Sequence, residues 1–112
     1  LYVGVGGGME LLQFSYFNRQ KNGVVGIDVV DEMLEASDKN FMEAEAQNTW
    51  FKREFVDLKK GDAMNLPVDN NSIDVAAQNC LFNIIRNGIG AKYIYEMKKW
   101  EIFRFERKTI IQ

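Results

Sequence analysis

The sequence predicts an α/β fold, a parallel sheet with flanking helices, and three observations carry the prediction. A short apolar run, residues 1–3, is followed by glycines at alternate positions, Gly4, Gly6 and Gly8, and then by a segment from Met9 that opens a helix. A second run, residues 24–29, is apolar and β-branched and carries Asp28 near its end, 20 positions after Gly8. Two further strand-like stretches, within residues 54–60 and 72–78, alternate with helical or loop segments. Strands alternating with helices argue for parallel pairing through crossover connections. Strand, glycine turn and helix form the unit that lets a backbone approach a nucleotide closely, with helix N–H groups pointing at it. A carboxylate about 20 residues further on is placed to bind ribose hydroxyls.

Composition narrows the function classes. At 112 residues there is room for one domain. An apolar fraction of 46% and a charged fraction of 27% are those of a globular protein. Sixteen acidic against fourteen basic residues, net −2, do not point to a nucleic-acid binder. The sequence shows no apolar run near the ~18 residues of a membrane span and no charged-apolar-small leader, so a cytoplasmic location is expected. Cys80 is the single cysteine, which leaves no disulfide within these residues and no zinc site built from several thiolates. With no histidine, a Ser-His-Asp or Cys-His nucleophile system and a His-built metal site are excluded within the chain. Its chemistry therefore falls to carboxylates, hydroxyls, lysines, one thiol or a cofactor with its own reactivity. The sequence is expected to be a partial domain, because it starts inside what reads as strand 1 and a three-layer α/β unit normally needs more residues to cover both sheet faces.

Each element has its own signal. Residues 9–20 carry apolar side chains at 9, 11, 12, 14, 16 and 17, dense for a helix that packs on a sheet, with Phe14, Tyr16 and Phe17 expected in the core. Lys21-Asn22-Gly23 ends it. Residues 24–29 read as a buried parallel strand. Asp31 and Glu32 open a second helix, where negative charge suits the N-terminal dipole, and Met33, Leu34, Ser37, Phe41 and Ala44 give it one packing face as far as Gln47. Phe55, Val56 and Leu58 mark a third strand within residues 54–60. A turn at Gly61-Asp62-Ala63-Met64 follows, and Leu66-Pro67 blocks a long helix there. Residues 72–78 read as a fourth strand with Asp74 inside it and Asn79-Cys80 just beyond. Residues 91–100 read as a helix with Ile94 and Met97 inward, and residues 102–111 as a fifth strand or an unpacked tail; residues 98–112 as a whole are atypical for such a domain.

Taken together, Gly4-Val5-Gly6-Gly7-Gly8, Gly26-Ile27-Asp28, Gly61-Asp62-Ala63-Met64-Asn65-Leu66-Pro67 and Asn71-Ser72-Ile73-Asp74-Val75 through Asn79-Cys80 resemble, in order and spacing, the class I S-adenosylmethionine-dependent methyltransferases. The resemblance spans about residues 2–85, and residues 79–83 are most similar to the small-molecule branch that includes arsenite methyltransferases. It implies a Rossmann-like sheet in the order 3-2-1-4, incomplete here, with strand 5 left open. It implies S-adenosylmethionine as cofactor, a small-molecule acceptor, no nucleic-acid or membrane partner, and no resident metal. Gly4, Gly6 and Gly8 would pass close to the methionine part of the cofactor. Asp28, with Val29 beside it, would accept from the ribose diol. Asp62 would accept from the adenine amino group while the Ala63 backbone N–H faces a ring nitrogen. Asn79 would lie on the cofactor or acceptor side. Little acid–base machinery is needed when the protein mainly orients an acceptor in line with a methyl group. The chain departs from the family at Tyr2, where an acidic residue is usual, so the polar contact near the cofactor's amino group is not carried over. It departs again after Lys98, where no Pro-Gly turn precedes strand 5.

Each of these residues also has a plainer structural reading. The glycines make a tight turn in any case, Asp28 alone is a solvated strand-end carboxylate, Asp62 is a helix N-cap, and Asp74 makes structural hydrogen bonds at a strand's entry. Cys80 is a weak catalytic candidate as a metalloid-binding thiol and equally a small core residue. The pairs Lys52-Arg53 and Lys59-Lys60 are expected on solvated faces. Two other functions stay open. A nicotinamide-dependent oxidoreductase would want Gly or Ala where Met9 stands. A non-catalytic Rossmann-like nucleotide-binding or interaction module would follow if the sixth and seventh strands that complete the family's sheet, not readable in these residues, are needed for function.

Overall fold

A computed structural model describes residues 1–78 and 110–111. Among these, Tyr2–Val3 (β1), Val24–Asp28 (β2), Val56–Lys60 (β3), Ala76–Gln78 (β4) and Ile110–Ile111 (β5) form one sheet in the order β3-β2-β1-β4-β5. Every pairing is parallel. The expected order 3-2-1-4 is present, and residues 110–111 supply the fifth strand beside β4. The helix expected over 91–100, together with Asn79 and Cys80, lies outside the described residues.

Strand alternation sorts the core onto two faces. Tyr2, Val24 and Phe41 belong to one buried cluster, and Val3, Ile27 and Ala76 to the other. Tyr2 is buried at 4% exposure with its ring 5.9 Å from that of Phe14. The residue that replaces the family's usual acid thus serves the core.

Two helices, Met9–Phe17 (α1) and Asp31–Gln47 (α2), connect the first three strands. In α2 the stripe Leu34, Ser37, Phe41 and Ala44 faces the core at helical spacing, with Ser37 and Phe41 fully buried. Met33, expected in that stripe, is 42% exposed one position to its side. Helix α1 differs more from expectation. It stops at Phe17, three residues early, because Asn18 leaves helical geometry and turns its side-chain Nδ2 to the Gly23 carbonyl, 3.0 Å away. Only Leu11 and Ser15 are buried in it, and the Ser15 hydroxyl is satisfied by the Leu11 carbonyl at 2.7 Å.

Phe17 lies two residues, about 200°, around the helix from Ser15 and is 86% exposed; Tyr16 is 50% exposed. Phe14 reaches the core edge, but Tyr16 instead meets Trp50 edge-to-face at 5.3 Å with the Arg19 guanidinium 4.7 Å over its ring. A nine-residue helix has one stripe to bury, and small and aliphatic residues take it.

Strand β3 starts at Val56 because Arg53–Phe55 form a 3-10 turn. Arg53 is no solvated cation. Its Nε pairs with Asp38 Oδ1 at 2.6 Å, its guanidinium lies 5.5 Å over the Phe41 ring, and it donates to the Val56 carbonyl. Residues 72–75 stay outside the ladder, so Asp74 is an exposed loop residue and not a strand residue.

Candidate functional site

The chain runs outward from β1 through β2 to β3 on one side and returns past β1 to β4 on the other. The carboxyl ends of β1 and β4 are thus the topological switch point, where open parallel sheets bind ligands. The glycine turn leaves β1 at that point. Gly4, Gly6 and Gly8 have φ of +82°, +52° and +87°, a backbone region that glycine alone enters freely. The Gly4 N–H donates to the Ile27 carbonyl at 2.8 Å, and the Gly8 N–H closes the turn on the Val5 carbonyl at 2.9 Å. A Cβ built at Gly4 or Gly6 meets nothing within 4 Å, whereas one at Gly8 lies 2.7 Å from the Phe41 ring. The motif therefore has an open side and a packed side. Helix α1 begins here with no side chain capping its first N–H groups, an arrangement that favours an anion at its mouth.

Asp28 ends β2 next to this turn. Its Oδ1 accepts from the Val30 N–H at 3.0 Å, which fixes the carboxylate and shapes the entry into α2. Oδ2 and the second lone pair of Oδ1 remain for a ligand diol. Val29 follows with 55% exposure, an apolar side chain left at the strand end. The Asp28 carbonyl accepts from the Gly61 N–H at 3.0 Å, which ties the β2 end to the turn after β3.

In that turn Asp62 is no helix cap, because no helix follows. Its Oδ1 accepts from the Met64 N–H, and its carbonyl from the Asn65 N–H, both at 2.9 Å, the pattern of an Asx turn. Ala63 is half-buried beside it. The structure thus brings Gly4, Gly6, Gly8, Asp28, Val29, Asp62 and Ala63 to the carboxyl ends of three adjacent strands.

Lys60, opposite Asp28 in the β2–β3 register, pairs with Asp31 at 2.9 Å. Both side chains are mostly exposed, so Lys60→Ala is expected to change unfolding free energy by less than about 1 kcal/mol in urea denaturation.

Two side chains at this site were not read as functional in the sequence. Ser37 Oγ donates to the Gly6 carbonyl at 2.8 Å and Asn40 Nδ2 to the Gly7 carbonyl at 3.0 Å, so α2 grips the glycine turn from its packed side. A serine inside an otherwise apolar stripe was the available signal; the exposed Asn40 had none. A separate cleft of about 370 Å³, lined by Phe14, Asn18, Val24, Ile73 and Val75 among others, opens at the amino ends of the strands, away from these residues.

A family model described as a methyltransferase domain matches residues 1–97. Among solved structures, the YcgJ protein from Bacillus subtilis is 22% identical with a TM-score of 0.63, over 88% of this chain and 37% of that one. A SAM-dependent methyltransferase from Aquifex aeolicus is 22% identical with a TM-score of 0.68, over 88% and 48%. A putative S-adenosyl-L-methionine-dependent methyltransferase from Methanococcus maripaludis is 19% identical with a TM-score of 0.65, over 88% and 41%. These likenesses show the fold. The chain spans less than half the length of each of these structures.

Proposed function

The chain belongs to the methyltransferase domain family, and on that premise we propose that it binds S-adenosylmethionine along the carboxyl ends of β1, β2 and β3, in a protein that methylates a small-molecule acceptor. One observation carries the reading: the open space over Gly4 and Gly6 stands beside two strand-end aspartates, Asp28 and Asp62, whose turns are joined by the Gly61-to-Asp28 backbone bond. The donor set suits the cofactor. Open backbone serves its amino-acid end, a fixed carboxylate its ribose, exposed Val29 the face of its adenine, and Asp62 with Ala63 the adenine's edge. When bound, the cofactor supplies an electrophilic methyl group on a sulfonium. The chain's own part is orientation. Asp28 is held by Val30 before any ligand arrives, and Asp62 by its own turn, so little rearrangement opposes binding. The two structures whose names call them SAM-dependent methyltransferases support the same reading.

For the acceptor, Cys80 and the similarity of residues 79–83 to the arsenite branch support a soft metalloid or thiol-type molecule. Soft-metalloid capture calls for two or three thiolates and these 112 residues supply one, so such an acceptor needs thiols from elsewhere.

Calorimetric titration with S-adenosylhomocysteine, with NADH as the comparison, tests the cofactor. Saturable binding of the first alone is expected; binding of NADH alone overturns the reading, and binding of neither by a cooperatively folded chain favours a non-catalytic module. Asp28→Ala is expected to weaken S-adenosylhomocysteine binding by about 1.5–3 kcal/mol, roughly 10- to 150-fold. Unchanged affinity would remove Asp28 from the site.

A further inference from the structure

Four of the five residues from Gly4 to Gly8 are glycine. Such a segment has many backbone conformations open to it, and fixing it at the moment of binding is costly. The structure fixes it beforehand through α2. The Ser37 hydroxyl, fully buried, donates to the Gly6 carbonyl, and Asn40, one helical turn on, donates to the Gly7 carbonyl. No peptide bond here is cis, and in a trans peptide the N–H points opposite to the C=O. With the Gly6 carbonyl turned onto α2, the Gly7 N–H is turned away from that helix, and the turn is open at Gly6, where a Cβ would meet nothing within 4 Å. That N–H meets no acceptor among the described residues. The next peptide is held in the same way: Asn40 takes the Gly7 carbonyl, and the Gly8 N–H bonds to Val5.

We infer that Ser37 and Asn40 are positioning residues that aim the Gly7 N–H, as a fixed donor, at the carboxylate of the cofactor's amino-acid end. The inference rests on the proposed cofactor. Neither side chain touches the ligand; each acts through the peptide plane it holds. With Asp28 and Asp62 holding the adenosine at the neighbouring strand ends, the amino-acid end is the part left to meet the glycine turn. A donor aligned before binding adds affinity without an ordering cost.

This role predicts a selective defect. S-Adenosylhomocysteine carries the amino-acid end, whereas 5′-methylthioadenosine keeps the adenosine and the sulfur and lacks that end. Titration of the 112-residue chain and its variants with both probes separates the two halves of the site. Ser37→Ala is expected to lower S-adenosylhomocysteine affinity about 5- to 10-fold and Asn40→Ala about 2- to 4-fold, with methylthioadenosine affinity unchanged in both. Equal losses for the two probes would mean that the side chains only support the fold, and no loss for either would mean that the turn holds without them; both results overturn the inference. If Ser37→Ala does not fold, Asn40→Ala, whose side chain is exposed, decides by the same criterion. Wild-type chain that binds neither probe overturns the cofactor reading and this inference with it. Wild-type chain that binds both, with no selective loss in the variants, overturns this inference alone.

Discussion

Alanine at Gly8 is expected to destabilise the domain by about 2–4 kcal/mol, the sum of a left-handed backbone that a Cβ disfavours and a steric overlap in the core. The φ of +87° accounts for the first part. For the second, the added Cβ would lie 2.7 and 2.8 Å from two ring carbons of Phe41 and 3.2 Å from the Ser37 hydroxyl. The ring has no room to retreat: Phe41 is fully buried, 6.0 Å from the Phe51 ring, with the Arg53 guanidinium 5.5 Å from its own centroid. Gly4→Ala and Gly6→Ala carry backbone strain without the overlap, so they should unfold at higher urea than Gly8→Ala while losing cofactor affinity. Urea midpoints for the three variants check the ordering. A Gly8→Ala protein as stable as wild type would show that the turn is not packed on α2 as described.

Phe41→Ala is expected to cost about 3–5 kcal/mol, a large part of the 5–15 kcal/mol typical of a domain. The ring sits beneath Gly8 and is bounded by Phe51 and Arg53, so its loss leaves a cavity between α2 and the glycine turn. Denaturation should show the stability loss, and S-adenosylhomocysteine titration a weaker site, because Ser37 and Asn40 ride on the same helix. The double variant Gly8→Ala/Phe41→Ala should cost less than the sum of the single changes, since removing the ring removes the overlap; strict additivity would contradict the contact.

The sequence made some of this legible and hid the rest for physical reasons. Helix α2 was readable at both ends, because an acidic first turn and a regular apolar stripe agree with each other. Strand β2 was readable because Val24 to Asp28 has the composition of a buried parallel strand and no competing pattern. Parallel pairing followed from the alternation of elements, and the order of strands from the resemblance to the methyltransferases. Helix α1 misled, since apolar density stood in for direction: Tyr16 and Phe17 are aromatic and exposed, while Ser15 is polar and buried with its hydroxyl satisfied within its own helix. Arg53 misled in the same way, because a charge reads as surface until its partners Asp38 and Val56 are known. At the candidate site, Asp28 was singled out by its spacing from Gly8 and Asp62 by the resemblance to the methyltransferases, and the structure places both at strand ends. The grip of Ser37 and Asn40 on the glycine turn joins residues 31 and 33 positions apart, a relation that no local pattern encodes.

The sheet order also has a kinetic consequence. Strand β1 occupies the middle of the sheet, and its two neighbours arrive at different times as a chain emerges from the ribosome. Tyr2 pairs with Gly26 on one side and with Ala77 on the other. The unit from β1 to β3 can assemble once β3 has emerged, but the far edge of β1 must wait for a partner seventy-five positions downstream of it. Contacts of such long sequence separation form slowly, and in the interval β1 presents an unpaired edge, the feature by which nascent sheets capture one another. Polyribosomes translating this chain would hold many such edges close together, so the pause before β4 emerges is the interval in which a holdase chaperone would most improve the yield of folded protein.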